Sequence, residues 1–182
     1  MKKSVLLPFL LTISTMLFAN DLQDNSANDS IAPDAKDVGT MDGILAALYD
    51  VISGPAGQAR NWDRMRTLFI PEARLIATGK RQDGTMAKRV MSVEDYITTS
   101  GPFLEKNGFF EEEIGRTVEQ FGGIVQVFSS YASKRNAADE KPFIRGINSI
   151  QLWHDGKRWW IVTVFWQAES PETPIPEKYL KS

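Results

Sequence analysis

The chain has 182 residues, no cysteine, one histidine and a formal net charge of −2. A hydrophobic content of 42% with 24% charged residues is typical of a single globular domain. The composition excludes disulfides and thiolate metal sites, provides no histidine pair for zinc or copper, and contains no basic stripe for nucleic acid. We therefore predict neither a metal site nor a cofactor.

The N-terminus has the pattern of a secretory signal peptide. Met1-Lys2-Lys3 precedes the apolar run Val5–Phe18, and Ala19 supplies a small residue before a polar segment. We predict cleavage after Ala19 and a periplasmic or secreted location. The alternative is an uncleaved anchor, although the run is shorter than the ~20 apolar residues of a membrane span. Cleavage would leave a charge of −4 and no membrane anchoring.

Residues 20–39 are rich in Asp, Asn, Ser and Ala, which predicts a disordered leader. The domain proper is predicted over residues 40–170 and opens with a helix capped by Thr40 or Asp42. The apolar residues of this helix recur at three- and four-residue spacing.

Further along the chain, Asn61 is predicted to cap a second, short helix that Pro71 stops. Ser92 and Asp95 have the spacing of a capping box and open a third helix. Two short strands, residues 73–78 and 85–91, lie between these helices.

After Asn107-Gly108 the hydrophobic period changes to two, which indicates strands. Four are predicted: Phe109–Gln120, Ile124–Ser133, Phe143–Trp153 and Arg158–Ala168. Helices followed by a run of antiparallel strands are typical of an α+β domain. The proline-rich residues 171–182 are predicted to form an extended tail.

The last hairpin contains a strand that is apolar on both faces, Trp159–Trp166. Such a strand must be covered on both sides. The protein's own helices can cover one face, whereas the other face needs a partner such as a second copy of the chain.

Two segments carry a family resemblance. The first is the helix-to-strand segment Asn61–Leu75, which contains an aromatic residue followed by Leu-Phe and Glu-Ala. The second is Gly156–Ile161 in the last hairpin. Both are similar to the nuclear transport factor 2-like superfamily, in its SnoaL-like branch. The resemblance covers about residues 40–170 and includes the order of elements. It implies a cone-shaped, curved antiparallel sheet wrapped around three N-terminal helices, with an internal pocket and a convex face that often forms a homodimer.

The resemblance does not extend to catalytic residues. It places the isomerase base at Ala77, which cannot accept a proton, the acidic hydrogen-bond donor near Asn148, and the tyrosine donor near Leu48 or Tyr49. A dehydratase would need a histidine–aspartate pair inside the pocket, but His154 lies in a predicted turn. We therefore assign no catalytic residue.

Candidate ligand contacts come from polar residues in apolar rows. Asn148 lies in the inward row of its strand, either as a ligand contact or as a buried amide satisfied by backbone. Glu112 and Arg116 share a strand face, either as a charged pair at the pocket mouth or as solvated surface charge. Three tyrosines are candidates to line the pocket or to be ordinary core residues: Tyr49, Tyr96 and Tyr131.

The last strand completes the prediction. The family register places Trp159, Ile161, Thr163 and Phe165 inward, so Phe165 joins the candidate ligand contacts. The outward residues, predicted to form the dimer interface, are Trp160, Val162, Val164 and Trp166. The predicted function is an exported domain that binds a small organic molecule. The alternatives are a lyase- or isomerase-type enzyme using Glu112, Tyr96 or Asn148, and a non-enzymatic dimerisation or accessory domain.

Overall fold

A computed structural model of the chain describes residues 31–180. The predicted signal peptide, residues 20–30 of the predicted leader and the last two residues of the tail lie outside this range.

The three predicted helices are present with the predicted caps, as α2 (Met41–Ile52), α3 (Trp62–Leu68) and α4 (Val93–Asn107). A short helix that was not predicted, α1 (Ala35–Val38), precedes them, and a 3-10 turn, Glu177–Tyr179, lies near the end of the chain. Thr40 caps α2, Asn61 caps α3, and Ser92 with Asp95 forms the capping box of α4. No helix among these described residues is long and apolar enough to cross a membrane.

Helix α1 lies in the segment that was predicted to be a disordered leader. Asp34 caps it, and the Asp37 carboxylate is buried against α3, where Arg64 Nε donates a hydrogen bond of 2.6 Å. Composition cannot reveal this tertiary ion pair, so the prediction was wrong for residues 35–38. The folded domain therefore includes these residues.

The strands form one curved, unclosed sheet. They are β1 (Phe69–Lys80), β2 (Met86–Met91), β3 (Phe110–Phe121), β4 (Ile124–Lys134), β5 (Ile144–His154) and β6 (Trp159–Ala168), in the spatial order β2-β1-β6-β5-β4-β3. The β1–β6 pair is parallel and the other pairs are antiparallel. The hydrophobic core lies between the sheet and α2, α3 and α4.

A β-bulge in β6 reverses its two faces. Leu152 pairs with Ile161 and Gln151 with Thr163, so Val162 is an extra residue on β6. Before the bulge Ile161 faces the core as predicted, but beyond it Val164 is buried and Phe165 is 43% exposed. The predicted inward position of Phe165 and the predicted outward position of Val164 were therefore wrong.

A second bulge, in β3, has the same effect. Glu113 pairs with Tyr131 and Gly115 with Ser130, which leaves Ile114 as the extra residue. Glu113 and Arg116 consequently share a face and form an ion pair. Glu112 points the other way, is exposed, and pairs with Lys134 at 3.4 Å. The predicted Glu112–Arg116 pair is thus replaced by Glu113–Arg116.

The tail packs against the outer face of the sheet instead of extending freely. Ser130 Oγ donates a hydrogen bond of 2.8 Å to the Tyr179 carbonyl, and the Phe128 and Tyr179 rings lie 5.2 Å apart. Ile175 is buried. Part of the convex face that the resemblance assigns to a partner is therefore covered by this chain.

Candidate functional site

An inner cavity of about 280 Å³ lies between the sheet, α2 and α4. Its apolar walls come from Leu48, Ile52, Met65, Leu75, Phe103, Phe109, Phe143, Ile144, Val164 and Trp166. Its polar groups are Tyr96, Glu111, Tyr131, Ser133, Arg135 and Asn148. Apolar walls with a few convergent polar groups are the usual composition of a small-molecule site.

Glu111 is the carboxylic acid of this cavity. It lies near the start of β3, directly opposite Ser133 on β4, and Ser133 Oγ donates a hydrogen bond of 2.7 Å to its carboxyl. Burial raises the pKa of Glu111 to about 7, although hydrogen bonds from Ser133 and Asn148 oppose the shift. This carboxyl group can therefore exist in either protonation state near neutral pH.

Tyr96 and Tyr131 present their phenol rings to the same cavity. Tyr96 follows the capping box of α4 and packs edge-to-face on Trp166, with ring centroids 6.4 Å apart. Burial raises the pKa of both tyrosines, and the nearby Glu111 charge raises them further. Both hydroxyls therefore remain protonated hydrogen-bond donors at physiological pH.

A glycine makes room for Tyr131. Gly146 pairs with Tyr131 across β4 and β5, and a Cβ atom at Gly146 would lie 2.5 Å from the Tyr131 hydroxyl. Any other residue at this position would displace the phenol group, so the glycine fixes where Tyr131 enters the cavity.

Asn148 begins a chain of hydrogen bonds that leads away from the cavity. Its Nδ2 donates to the Tyr49 hydroxyl at 3.1 Å, and the hydroxyls of Tyr49 and Ser129 lie 2.6 Å apart. Ser129 in turn donates to the Glu113 carboxyl group. Because Ser129 uses its proton there, Tyr49 must donate to Ser129. The chain therefore orients the Asn148 side chain.

The far end of this chain reaches a second, polar depression of about 450 Å³. Arg116 Nε donates to Glu113 at 2.6 Å, and Arg116 Nη1 donates to Asp42 at 2.6 Å. Glu111 and Tyr49 line this depression as well. Glu111 therefore has a polar route to solvent besides the apolar cavity.

Arg135 lies at the mouth of the inner cavity, immediately after β4. Its guanidinium carbon is 4.2 Å from the centre of the Phe143 ring and 5.0 Å from that of Phe103. Its Nη1 atom is buried and has no hydrogen-bond partner within residues 31–180. Phe103 and Phe143 are about half exposed, so this aromatic and cationic group forms the rim.

The backbone at Arg135 is held from two sides. Asp139 accepts a hydrogen bond of 3.1 Å from the Arg135 amide, and Gly108 follows α4 with φ of +69°. A Cβ at Gly108 would lie 2.7 Å from the Arg135 carbonyl, so glycine permits the close approach. The Arg135 backbone is thereby held close to the end of α4.

The structure brings together some of the predicted ligand contacts and separates others. Asn148, Tyr96 and Tyr131 line the inner cavity, and the Asn148 amide is satisfied by a side chain rather than by backbone. Tyr49 lies behind Asn148, and Arg116 lines the polar depression. Whether any of them contacts a ligand stays a prediction.

Among the predicted interface residues, Trp160 and Val162 are partly exposed, whereas Val164 and Trp166 line the inner cavity. The interface assignment was wrong for the latter two because of the bulge at Val162. Trp160 stacks under Arg158, 3.6 Å from its guanidinium carbon, and donates a hydrogen bond to Asp155 at 2.7 Å. This hairpin end is ordered by the chain's own contacts.

His154 occupies the hairpin end as predicted. Its Nδ1 accepts a hydrogen bond of 3.2 Å from the Gly156 amide, and its ring packs on Trp159. Ala77 packs against the core and provides no acid or base. Among residues 31–180 no cluster of three or more potential ligand side chains is placed to hold a metal ion.

Glu111 and Arg135 were not predicted as site residues. The sequence placed Glu112 instead of Glu111 in the cavity because an unbroken alternation was assumed across the β3 bulge. Glu111 could have been identified by its position opposite Ser133, but this pairing is known only once the register between β3 and β4 is known. Arg135 lies between the predicted strands Ile124–Ser133 and Phe143–Trp153, and only the fold brings it to the rings of Phe103 and Phe143.

No family model matches the sequence, and no curated protein matches it. Solved structures do match the fold. A protein of unknown function with a cystatin-like fold from Nostoc punctiforme superposes with a TM-score of 0.52 at 11% identity, covering 73% of this chain and 90% of that one. LinA superposes with a TM-score of 0.52 at 7% identity, and the match covers 72% of this chain and 85% of LinA. The chain has the nuclear transport factor 2-like fold.

A third match agrees with this fold. The Kfla4162 protein from Kribbella flavida has a TM-score of 0.50 at 11% identity, covering 70% of this chain and 86% of that one. The predicted α+β cone is thus confirmed. Identities this low establish the nuclear transport factor 2-like fold alone, and that fold hosts many unrelated functions. The activity must therefore be argued from the site.

Proposed function

We propose that this protein binds a small organic molecule in the inner cavity. The observation that carries the proposal is the convergence of Glu111, Tyr96, Tyr131 and Asn148 on one apolar space. Glu111 accepts a hydrogen bond from Ser133 and Asn148 donates one to Tyr49, whereas no hydrogen bond of the Tyr96 or Tyr131 hydroxyl is found within residues 31–180. A ligand with its own polar atoms can accept hydrogen bonds from the two phenols and use the remaining hydrogen-bonding capacity of Glu111 and Asn148.

The cavity volume limits the size of the ligand. About 280 Å³ lies just below the roughly 300–1,000 Å³ range of small-molecule sites. A compact molecule of about one ring fits this volume better than a polycyclic one.

Native mass spectrometry of protein purified from its source tests the proposal. We expect a retained small molecule in the wild type and its loss in Ile144→Trp, which places a bulky ring at the cavity mouth. Ile124→Trp is the matched control, because Ile124 is exposed and does not line the cavity. A ligand retained equally by both variants would contradict binding in this cavity.

A second candidate function is proton-transfer catalysis of the lyase or isomerase type, with Glu111 as the acid–base group. The raised pKa of Glu111, about 7, favours it, because a general base works best when its pKa lies near the operating pH. Tyr96 and Tyr131 provide donors for a developing negative charge. The catalytic base would then be Glu111 on β3, and not the residue at position 77, where the resemblance places the isomerase base.

Isotope exchange separates binding from catalysis. We expect the wild type in D₂O to incorporate deuterium into the retained molecule and Glu111→Gln to abolish incorporation while still retaining that molecule. Glu112→Gln, on the opposite face, is the control and should behave as the wild type. Retention without exchange in the wild type would leave binding as the function.

We also propose that the protein is exported and acts outside the cytoplasm, on the strength of the signal-peptide pattern in residues 1–19. N-terminal sequencing of protein from its source should begin at Asn20. An intact Met1 on the mature protein would contradict export by this route.

A further inference from the structure

The guanidinium of Arg135 is the one feature of the inner cavity that small-molecule binding in general does not explain. Arginine carries five donors in a fixed plane and stays charged in proteins. A buried donor without a partner is unfavourable because it has lost its hydrogen bonds to water. The Nη1 atom of Arg135 is such a donor, and it lies at the entrance to the inner cavity.

The acidic groups that neighbour Arg135 along the chain or in the inner cavity are engaged elsewhere. Asp139 accepts hydrogen bonds from the backbone amides of Arg135 and Asn136, at 3.1 and 2.9 Å. Glu111 is bonded to Ser133, and Glu112 pairs with Lys134. In the described part of the chain, Arg135 therefore keeps a cationic face that no carboxylate neutralises.

The surroundings of that cationic face are aromatic. Phe143 and Phe103 flank the guanidinium, and Phe109 packs on Phe143 with ring centroids 6.2 Å apart. Deeper inside, Trp166 and Tyr96 continue the aromatic wall. A flat ring entering past the rim would meet ring faces and edges on several sides.

We propose that the inner cavity takes a small aromatic carboxylate, whose carboxylate group pairs with the Arg135 guanidinium at the rim while its ring occupies the apolar interior. This inference rests on the proposed small-molecule function and specifies the class of ligand. The planar fork of arginine matches a carboxylate bidentately, and flanking rings hold the fork in one orientation. The carboxylate supplies the acceptor that Nη1 lacks.

The alternative occupants have less support from the same contacts. A cationic ligand would meet Arg135 as a like charge. A neutral hydrocarbon would leave Nη1 without an acceptor and would bury the polar groups around Asn148 unused. A large anion such as a nucleotide exceeds a cavity of about 280 Å³.

Calorimetric titration of the mature protein with benzoate and benzamide tests the inference, because the two probes share a shape and differ in charge. We expect benzoate to bind at least about tenfold more tightly, since hydrogen bonds between charged groups are stronger than those between a charged and a neutral group. Arg135→Met should remove this preference while benzamide affinity stays within about twofold, and Arg135→Lys should retain part of the preference.

Arg81→Met is the matched control, because Arg81 is an exposed loop residue outside the inner cavity and its loss changes the net charge equally. Its preference for benzoate should equal that of the wild type. Equal binding of both probes by the wild type would overturn the carboxylate inference and leave the proposed function standing. A neutral or cationic molecule retained in native mass spectrometry would do the same. If the wild type binds neither probe, the carboxylate inference is overturned. The proposed function would then be tested by native mass spectrometry alone.

Discussion

The Glu111 carboxyl group lies opposite Ser133 on the neighbouring strand and accepts a hydrogen bond of 2.7 Å from its hydroxyl. The hydrogen bonds from Ser133 and Asn148, both neutral donors, compensate only partly for burial, and the pKa of Glu111 accordingly rises to about 7. Ser133 therefore fixes the position of the acid without forcing it to ionise. This balance makes Glu111 responsive to pH and to whatever enters the cavity.

The first prediction concerns the pH dependence of stability. Glu111 binds its proton more tightly in the folded protein than in the unfolded chain, where its pKa is near 4.5. The free energy of unfolding should therefore fall as pH rises from about 4.5 to about 7, by up to about 3 kcal/mol. Glu111→Gln should remove this fall, so that the variant is more stable than the wild type at pH 8.

Urea unfolding at a series of pH values checks this prediction. Glu112→Gln removes the same charge from the neighbouring, exposed position and should reproduce the wild-type profile. Parallel pH profiles for wild type and Glu111→Gln would show that Glu111 does not titrate in this range.

The second prediction concerns the hydrogen-bond chain behind Asn148. Tyr49→Phe removes the hydroxyl that joins Asn148 to Ser129, and should lower the free energy of unfolding by about 1–2 kcal/mol. Tyr96→Phe is the matched substitution. No hydrogen bond of the Tyr96 hydroxyl is found within residues 31–180, so its effect should stay within about 0.5 kcal/mol. Equal losses in chemical denaturation would mean that the chain contributes no stability.

The third prediction concerns Arg60, which is buried between α2 and α4. Its guanidinium donates to the carbonyls of Ile52 at 3.1 Å, Gly54 at 2.7 Å and Leu104 at 3.2 Å. Lysine keeps the charge but cannot reach several carbonyls in one plane. Arg60→Lys should therefore lower the free energy of unfolding by at least about 2 kcal/mol.

Arg89→Lys, at an exposed position on β2, provides the comparison for Arg60. It should change the thermal midpoint very little. If both substitutions behave alike, the carbonyl contacts of Arg60 do not hold the α2–α3 connection to α4.

The fourth prediction concerns the proposed homodimer. Because of the bulge at Val162, Phe165 is an exposed residue on the outer face of β6, and we expect Phe165→Glu to convert a dimer into a monomer with an unchanged thermal midpoint. Val164→Glu should instead unfold the domain, because it buries a charge in the core. Light scattering after gel filtration measures both, with Lys88→Glu on the edge strand β2 as the control. A monomeric wild type would contradict the homodimer.

The sequence predicted most of the elements because their signals are local. Caps at Thr40, Asn61 and Ser92 and the alternation of β5 each depend on residues within one turn or one strand. In β5 the inward row includes Asn148, Ile150 and Leu152, as predicted, because that strand has no inserted residue.

The site was less predictable because its geometry is long-range. One extra residue at Val162 and one at Ile114 reverse the faces of β6 and β3, and neither residue type signals a bulge. Phe165 and Glu112 were misplaced for this reason. Arg135 needs both α4 and β5 to become part of a cavity rim, so its role depends on contacts that local sequence cannot specify.

The bulge at Val162 also has a consequence for comparisons between related chains. It divides β6 into one segment that contributes Ile161 to the core and another that contributes Val164 and Trp166 to the cavity. Substitutions in the cavity segment can therefore accumulate independently of those in the core segment. A relative that lacks this single residue would present the neighbouring side chains to its cavity on an almost unchanged backbone. Aligning such a pair through β6 without first locating the insertion would equate cavity residues of one protein with surface residues of the other.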